Sequence, residues 1–332
     1  MAGGFGGLLA NSETVDRLLS EMDPADKKSL QSWYWFDWAN QAFALTVITV
    51  VVPTLLSNMF NLANGGSADY AGMTFTGDSF YAVVLGISSV FVAIVSPVLG
   101  AIADRMPIKK KVLKVYTVVG ILFTGLMGLA PYMDDNSSYK FLAVCLIMGN
   151  IGFAGGHAIY SAFLPYLGDK RLMDHMSSWG YAYGFLGGCI LLTVHLAVGL
   201  RFGFENPDVQ CFVFVTSALW WLGFSVPMFR NTPEPEIPNP TEYPNVFEAV
   251  KDGLREIKST FSEIRRYKVL SLFMCGYLLF YDGVNAIGGL AAAYADSVLR
   301  IDFTMNFVLL LSANIVAIPM TLSLIHISEP TR

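Results

Sequence analysis

Residues 80–103 have the sequence FYAVVLGISSVFVAIVSPVLGAIA, an apolar run without a single charged side chain. A helix needs about 20 predominantly apolar residues to cross the hydrocarbon core of a membrane. Because lipid offers the backbone no water to bind, such a run is expected to be helical rather than an isolated strand. The segment therefore predicts a membrane-spanning helix.

Comparable apolar runs follow one another along most of the chain, and about eight of them are long enough to span a membrane. Hydrophobic residues make up 54% of the chain and charged residues 14%, whereas a soluble domain carries about 25% charged residues. The composition therefore predicts an all-α integral membrane protein. The predicted spans are residues 32–60, 80–103, 112–133, 139–164, 178–200, 209–229, 269–298 and 304–322.

Charge and metal-ligand residues exclude several classes of function. The net charge of -5 argues against a nucleic-acid partner, which would require a basic surface. The four cysteines lie in separate apolar runs without a CxxC pair, so no metal site is predicted. The four histidines are scattered, whereas a membrane-embedded metalloenzyme would require clustered ligands. We expect neither catalytic residues nor enzymatic activity.

Lysine and arginine residues concentrate on one side of the predicted membrane spans. Because cytosolic loops carry the excess of these residues, this side is predicted to be cytosolic. The N-terminal segment, residues 1–31, then also lies in the cytosol. The basic residues on this side are Arg17, Lys27, Lys28, Arg105, Lys109, Lys110, Lys111, Lys114, Lys170, Arg171, Arg230, Lys251, Arg255, Lys258, Arg265, Arg266 and Lys268, against Lys140, Arg201 and Arg300 on the other.

Residues 230–268 separate the first six predicted spans from the remainder. The segment opens with several prolines, including Pro233 and Pro235, and cannot be helical throughout. Apolar residues at helical spacing from Val246 to Ile264 then predict an amphipathic helix on the cytosolic membrane face. The predicted domains are a six-helix bundle at 32–229, a linker at 230–268 and two further helices at 269–321.

The last residues, 322–332, have the sequence LSLIHISEPTR. This string resembles the translation of a transposon adapter that is used in preparing sequencing libraries. We expect it to be an artefact joined to a truncated gene, in which case its histidine carries no function. The alternative is a genuine helix end followed by a short polar tail.

A short motif recurs in the first and seventh predicted spans. Residues 35–40 have the sequence WFDWAN, and residues 280–285 have the sequence FYDGVN. The spacing of the Asp and the Asn places both on one face of a helix. Equivalent helices are expected in a transporter that is built from a duplicated unit.

Asp37 and Asp282 are the charged residues of this repeat, and Asn40 and Asn285 accompany them. A charge inside the hydrocarbon core costs about 2.5–3.5 kcal/mol on insertion scales, so it normally faces the bundle interior. Asp282 is predicted near mid-membrane, where it either handles substrate or protons or makes a buried structural hydrogen bond. Asp37 is predicted closer to the cytosolic interface, where a capping role and a functional role are both open.

Further polar side chains inside the predicted spans are candidates to line a solute pathway. For each of them, hydrogen bonding or packing between helices is the alternative. His157 is of most interest because histidine titrates near neutrality. These additional candidates are Gln41, Asn150, His157, Tyr160, Tyr181 and Tyr183, whereas Trp220 and Trp221 are assigned to packing.

Residues 100–111, GAIADRMPIKKK, follow the second predicted span and resemble the signature loop of the major facilitator superfamily, G-x-L-x-D-R-x-G-R-R/K. The resemblance implies that Asp104 and Arg105 form an inter-helix charge cluster, which breaks and reforms as the transporter alternates between states. Gly100 is expected to permit close helix approach. Pro107 and Ile108 stand where the family has Gly and Arg.

Residues 34–49, 150–167, 178–188 and 281–285 resemble the vacuole-effluxer branch of that superfamily. Its members are the autophagy-related amino-acid effluxers of eukaryotes and their prokaryotic relatives. The resemblance implies the twelve-helix major facilitator superfamily fold, with a complete six-helix N-terminal bundle and a truncated C-terminal bundle in this fragment. It also implies efflux of neutral amino acids, such as leucine, from the vacuole.

We therefore predict a secondary-active transporter of small solutes, with amino acids favoured. The alternative is a non-transporting receptor or scaffold that kept the transporter fold. The expected partners are a small-molecule substrate and the lipid bilayer, and neither an oligomer nor a cofactor is required. Intramembrane carboxylates are compatible with proton coupling. The expected membrane is vacuolar or lysosomal in a eukaryote, and the plasma or inner membrane in a prokaryote.

Overall fold

The structure, a computed structural model, consists almost entirely of helices in the residues that it describes. These are residues 14–70, 72–237, 240–241, 243, 246–264 and 266–327, and inside the helices the side chains of some residues, including Asp282 and Asn285, are also outside the description. After a helical stretch at residues 14–21, the helices are α1 (Pro24–Gln41), α2 (Val52–Asn64), α3 (Gly77–Ala103), α4 (Lys109–Met127), α5 (Asp135–Ser161), α6 (Met173–Phe202), α7 (Pro207–Asn231), α8 (Val246–Ile264), α9 (Lys268–Ser297) and α10 (Phe303–Ile327). Two short strands, β1 (Ala68–Tyr70) and β2 (Met73–Phe75), pair in antiparallel fashion.

Within the described residues, 8 helical stretches are long and apolar enough to cross a membrane. This number confirms the spans predicted from the sequence. The first stretch, Pro24–Asn64, begins earlier than the predicted boundary at residue 32. A proline at the start and Asp26 in the first turn both favour helix initiation there. The added residues, 24–31, are too polar to have been counted as part of an apolar span.

The first membrane stretch contains a π-helical segment, Ala42–Val51, between α1 and α2. The Val52 backbone N–H donates to the carbonyl of Val47, and the Thr49 hydroxyl donates to the carbonyl of Ala44 at 2.7 Å. Both bonds reach one residue further back than an α-helix allows. Wide turns of this kind are rare in proteins, and those that occur often lie at functional sites.

The first six membrane stretches pack around a shared core. Helix α1 lies against α6 and α7, α4 lies against α5 and α7, and α3 lies against α5. Trp221 is 1% exposed within this core, and the Trp220 indole N–H donates to the carbonyl of Trp38 at 3.3 Å. Both tryptophans therefore pack between helices, in agreement with the assignment from the sequence.

The linker, the loop between α3 and α4 and the loop between α5 and α6 lie at one end of the bundle, which we call the linker face. The Lys110 ammonium donates to the carbonyl of Thr232 at 2.6 Å, and the Thr241 backbone N–H donates to the carbonyl of Arg105 at 2.9 Å. Helix α8 packs against α3 at the same end. These contacts hold the linker against the loop between α3 and α4.

Helices α9 and α10 follow the linker and expose much apolar surface. Leu272 and Leu279 of α9 are largely exposed, which suits contact with lipid or with other membrane helices. Helix α10 packs against α6, and an aromatic contact on the side opposite the linker face supports this packing. There the ring of Phe204 lies 4.9 Å from that of Phe303 and 5.2 Å from that of Phe307.

Candidate functional site

A cavity of about 140 Å³ lies between α1, α5 and α6. It brings together four side chains that the sequence identified as pathway candidates, namely Asp37, His157, Tyr160 and Tyr181. The remaining lining residues were not predicted. The full lining is Trp33, Asp37, His157, Tyr160, Ser161, Leu164, Ser177 and Tyr181.

Pairs of lining residues are spaced four apart on each of the three helices. Helix α1 provides Trp33 and Asp37, α5 provides His157 and Ser161, and α6 provides Ser177 and Tyr181. Residues at this spacing lie on one helical face. The spacing is therefore the sequence signal that would have identified Trp33, Ser161 and Ser177, whereas Leu164 lies in the following turn and has no such signal.

Asp37 is the buried carboxylate of the cavity, with 2% of its surface exposed. Its Oδ1 atom has no hydrogen-bond partner in the part of the chain that the structure describes. Its Oδ2 atom faces Gly184, where an added Cβ would lie only 2.8 Å away. Buried polar atoms are normally hydrogen-bonded. An unpartnered carboxylate oxygen at a cavity is therefore available to a solute, a proton or water.

His157 places a second unpartnered polar atom in the same cavity. Its Nδ1 atom is buried and lacks a hydrogen-bond partner among the described residues. The ring lies 5.7 Å from the ring of Tyr160 and 6.1 Å from that of Phe153. Because an imidazole nitrogen donates or accepts according to its tautomer, His157 complements the acceptor-only carboxylate of Asp37.

Trp33 and Tyr160 form a rigid wall of the cavity. The Trp33 indole N–H donates to the carbonyl of Tyr160 at 3.1 Å, and the Tyr160 hydroxyl donates to the carbonyl of Trp33 at 3.2 Å. Their rings are stacked with centroids 4.4 Å apart. Both polar groups are thus engaged, so these residues shape the cavity and fix α1 against α5.

The cavity lies near the linker face rather than midway along the helices. His157 precedes the end of α5 at Ser161 by about one turn, and Ser177 follows the start of α6 by about one turn. The rise of an α-helix places both about 6 Å inside the helix ends. Tyr181 is 44% exposed, so the cavity is open on that side.

Of the other candidates from the two repeated motifs, Asn40 does not line this cavity, and the side chains of Asp282 and Asn285 are not described by the structure. Asn40 is buried, and its Oδ1 atom lacks a partner among the described residues. The side chains of Asp282 and Asn285 lie outside the described part of the chain, although their backbone belongs to α9. The match between the two motifs therefore remains a prediction.

Gln41 and Tyr183 also lie away from the cavity. Gln41 packs against Gly184 and Gly188 of α6. The ring of Tyr183 lies 5.3 Å from that of Tyr34 and 5.9 Å from that of Trp35. Both side chains therefore contribute to the contact between α1 and α6.

His195 is a buried histidine that the candidates did not include. Its Nε2 atom lies 2.9 Å from the Thr216 hydroxyl, and its Nδ1 atom lies 3.4 Å from the Thr46 hydroxyl. This histidine is a hydrogen-bonded core residue that joins α6 to the π-helical segment and to α7. Among the described residues, no group of three or more His, Cys, Asp or Glu side chains is placed to hold a metal ion.

Asn150 forms a hydrogen bond between helices. Its side-chain amide donates to the hydroxyl of Ser88 at 2.7 Å, and both residues are buried. The bond joins α5 to α3. This geometry is the inter-helix alternative considered for Asn150, and the sequence offered no sign that Ser88 would be its partner.

A double-mutant cycle of Ser88→Ala and Asn150→Ala is expected to give a coupling energy of about 0.6 kcal/mol and not more than about 1.7 kcal/mol. These are the average and the upper value for such bonds within a membrane. Denaturation of the four proteins in mixed micelles measures it. Additive effects of the two substitutions would show that the hydrogen bond does not form.

The loop after α3 forms two separate ion pairs. Asp104 binds Lys109, the first residue of α4, at 2.7 Å, whereas Arg105 reaches Asp252 of α8 at 2.6 Å. The Tyr243 hydroxyl also donates to Asp252 at 2.7 Å, and this bond raises the pKa of Tyr243. Among the described residues, therefore, the Arg105–Asp252 ion pair joins the loop to the linker helix.

Among the described residues, no helix approaches Gly100 closely. A Cβ added there would meet no described atom within 4 Å. The close approach in this part of α3 is made instead with Gly253 of α8, where an added Cβ would lie 3.3 Å from the carbonyl oxygen of Val98. The small residue that matters for this contact is thus on the linker helix.

Reversing the charge of Arg105 is expected to loosen the linker helix. A partly exposed pair contributes about 0.2–1 kcal/mol, and Arg105→Glu replaces this attraction with repulsion from Asp252. We expect hydrogen exchange in α8 to become several-fold faster. The double reversal Arg105→Glu with Asp252→Arg is the matched control and should restore protection. Equal exchange in all three proteins would contradict the role of the pair.

Three matches to known proteins are informative for this chain. The family model described as "Vacuole effluxer Atg22 like" matches residues 25–331. An uncharacterized MFS-type transporter of Bacillus subtilis, YxiO, is 27% identical over 311 residues, which cover 89% of this chain and 66% of the relative. Autophagy-related protein 22 of Kluyveromyces lactis is 21% identical, over 82% of this chain and 62% of the relative. The chain thus spans slightly less than two thirds of the length of these relatives.

Proposed function

Because the chain belongs to the Atg22-like vacuole effluxer family, we propose that it exports neutral amino acids across a membrane by alternating access. The family match confirms the resemblance found in the sequence, and the MFS-type relative supports the major facilitator fold. Members of this family are transporters and not enzymes, as predicted. The chain is a multi-pass integral membrane protein.

The observation that carries the proposal is the pair of unpartnered atoms, Asp37 Oδ1 and His157 Nδ1, in one cavity. An amino acid presents an ammonium group and a carboxylate. Asp37 accepts hydrogen bonds from the ammonium, and His157 donates to the carboxylate when Nδ1 carries its proton. The cavity of about 140 Å³ is smaller than the roughly 300–1,000 Å³ of drug-sized sites, which favours a small solute.

Asp37 also offers a way to couple transport to a proton. An unpaired charge is costly to bury, so the carboxylate is stabilised by either a cationic group or a proton. The ammonium of the substrate and a proton therefore compete for one oxygen atom. We place Asp282 at the equivalent point of the second half on the basis of the repeated motif.

The positive-inside pattern supports a cytosolic linker face and a cytosolic N-terminus. In this orientation the Asp37 cavity lies at the cytosolic end of the pathway, where a solute exported from a vacuole leaves and a solute exported from a cell enters. If the source is eukaryotic, the protein belongs in the vacuolar or lysosomal membrane and takes part in autophagy. If it is prokaryotic, the protein belongs in the plasma or inner membrane.

Division into two bundles accounts for the position of the linker. The first six membrane stretches form the N-terminal bundle, and α9 and α10 begin the C-terminal bundle. The relatives are longer than the part of them that this chain matches. We propose that transport requires further helices, which complete the second bundle and the pathway between the bundles.

Counterflow of labelled amino acids in liposomes, with the full-length protein, tests the proposed function. Liposomes that are preloaded with unlabelled leucine should accumulate labelled leucine transiently, and leucine should be exchanged in preference to lysine or aspartate. Empty liposomes provide the control. An absence of accumulation across a broad panel of amino acids would contradict export and would favour a receptor or scaffold.

A further inference from the structure

A groove of about 570 Å³ lies at the linker face between α3, α4 and α8. Its walls are mostly apolar and include Leu99, Val112 and Val250, while Lys111 and Tyr243 supply polar groups. The volume falls within the roughly 300–1,000 Å³ that small-molecule sites occupy. The groove is separate from the Asp37 cavity, since the two share no lining residue.

The groove opens towards the side of the bundle. Val115 lines it and is 58% exposed, and only 11% of the apolar part of α3 is buried. In a membrane such an exposed apolar helix surface is open to lipid wherever no further helix covers it. An occupant with an apolar chain can therefore enter from the bilayer without crossing water.

Lys111 is the lysine at the rim of the groove, and its ammonium has no partner in the part of the chain that the structure describes. Lys109 is paired with Asp104, and Lys110 donates to the carbonyl of Thr232. Lys111 is exposed and forms no ion pair with any residue in the described ranges. Asp252, which accepts a hydrogen bond from the Tyr243 hydroxyl, is also engaged by Arg105.

We propose that this groove binds an anionic phospholipid. One acyl chain lies along the apolar wall formed by Leu99, Val112 and Val115, and the phosphate lies beside Lys111. The lipid then contacts α8, α3 and α4 together, on the same face where the Arg105–Asp252 pair joins α8 to the loop after α3. A zwitterionic lipid would fill the apolar part, but its own headgroup cation would compete with Lys111 for the phosphate.

Native mass spectrometry of the full-length protein, titrated with phosphatidylglycerol or phosphatidylcholine, tests this site. We expect a discrete number of tightly held phosphatidylglycerol molecules and weaker binding of phosphatidylcholine. Lys111→Ala should weaken phosphatidylglycerol binding about fivefold, the ratio that corresponds to one basic residue at an anionic membrane surface. Lys111→Arg should keep the affinity, and Val115→Trp, which fills the open mouth, should displace both lipids.

Lys28→Ala is the matched control, because Lys28 is exposed near the start of α1 and does not line the groove. Equal losses for Lys28→Ala and Lys111→Ala would show diffuse attraction to the surface and would overturn the proposal. Equal binding of the two lipids would do the same. Failure of Val115→Trp to displace lipid would also overturn the proposal. It would show that the lipid binds elsewhere, as expected if a further segment of the protein already fills the groove. Thermal unfolding of each variant confirms that the compared proteins are folded.

Discussion

Asp37→Asn is expected to lower the rate of amino-acid transport by about 10–100-fold while the protein remains folded. The substitution keeps the shape of the side chain but removes its charge. A hydrogen bond to a charged group contributes about 1.5–3 kcal/mol, which sets this range. The fold should tolerate the change because Asp37 Oδ1 has no protein partner among the described residues. Counterflow in liposomes measures the rate.

Asp174→Asn provides the matched control for this experiment. Asp174 is an exposed carboxylate in the first turn of α6, at the same linker face. Its loss should change a helix-terminus interaction by only about 0.3–1 kcal/mol and should leave transport intact. Wild-type transport by Asp37→Asn would remove this carboxylate from the mechanism.

Gly152→Ala is expected to destabilise the bundle by about 1–3 kcal/mol, the usual penalty for overpacking a core. A Cβ at this position would contact the Gly120 backbone nitrogen and would lie 2.5 Å from Gly120 Cα and 2.7 Å from the carbonyl oxygen of Tyr116. These are backbone atoms, which cannot rotate away, so α4 and α5 would have to separate. The temperature of unfolding in detergent, with the yield of folded protein, measures the effect.

Gly156→Ala is the control on the same helix, about one turn further along. There an added Cβ would lie 3.5 Å from the Cβ of Tyr116, which is an ordinary contact. Its unfolding temperature should stay close to that of the wild type. If Gly152→Ala and Gly156→Ala were equally stable, the close approach of α4 and α5 would be contradicted.

The membrane stretches could be predicted because length and apolar composition alone decide whether a helix crosses a bilayer. The packing roles of Trp220 and Trp221 followed in the same way, since both residues lie deep within one apolar run. The π-helical segment Ala42–Val51 could not be predicted. It depends on a local change of hydrogen-bond register that apolar periodicity does not encode.

The cavity could be predicted only in part. Asp37, His157, Tyr160 and Tyr181 were recognised one by one as polar or aromatic residues inside membrane helices. Their convergence depends on how α1, α5 and α6 are rotated against one another, and this rotation depends on small residues such as Gly184. Gln41 and Asn150, which are equally polar, are turned towards neighbouring helices by the same packing.

The sequence could also not identify Asp252 as the charge partner of Arg105. The resemblance in the loop implied a charge cluster between helices. The linker contains several acidic residues, however, and the sequence does not show which of them pairs with Arg105. Only the seating of α8 on α3, through Gly253, selects Asp252.

We propose that the Asp37 cavity lies on the path of the amino acid that the protein transports. Ser177→Cys places a thiol in the lining, in a protein whose less buried cysteines, Cys211 and Cys275, are replaced by serine. Its rate of labelling by a membrane-impermeant thiol reagent is measured in nanodiscs, where both faces are accessible. Ser20→Cys, on the exposed N-terminal stretch, reports any general effect of the solute.

We predict that a saturating concentration of the amino acid with the strongest counterflow slows labelling at position 177 several-fold and leaves position 20 unchanged. Equal labelling rates at position 177 with and without that amino acid, in a protein that still transports it, would contradict the account.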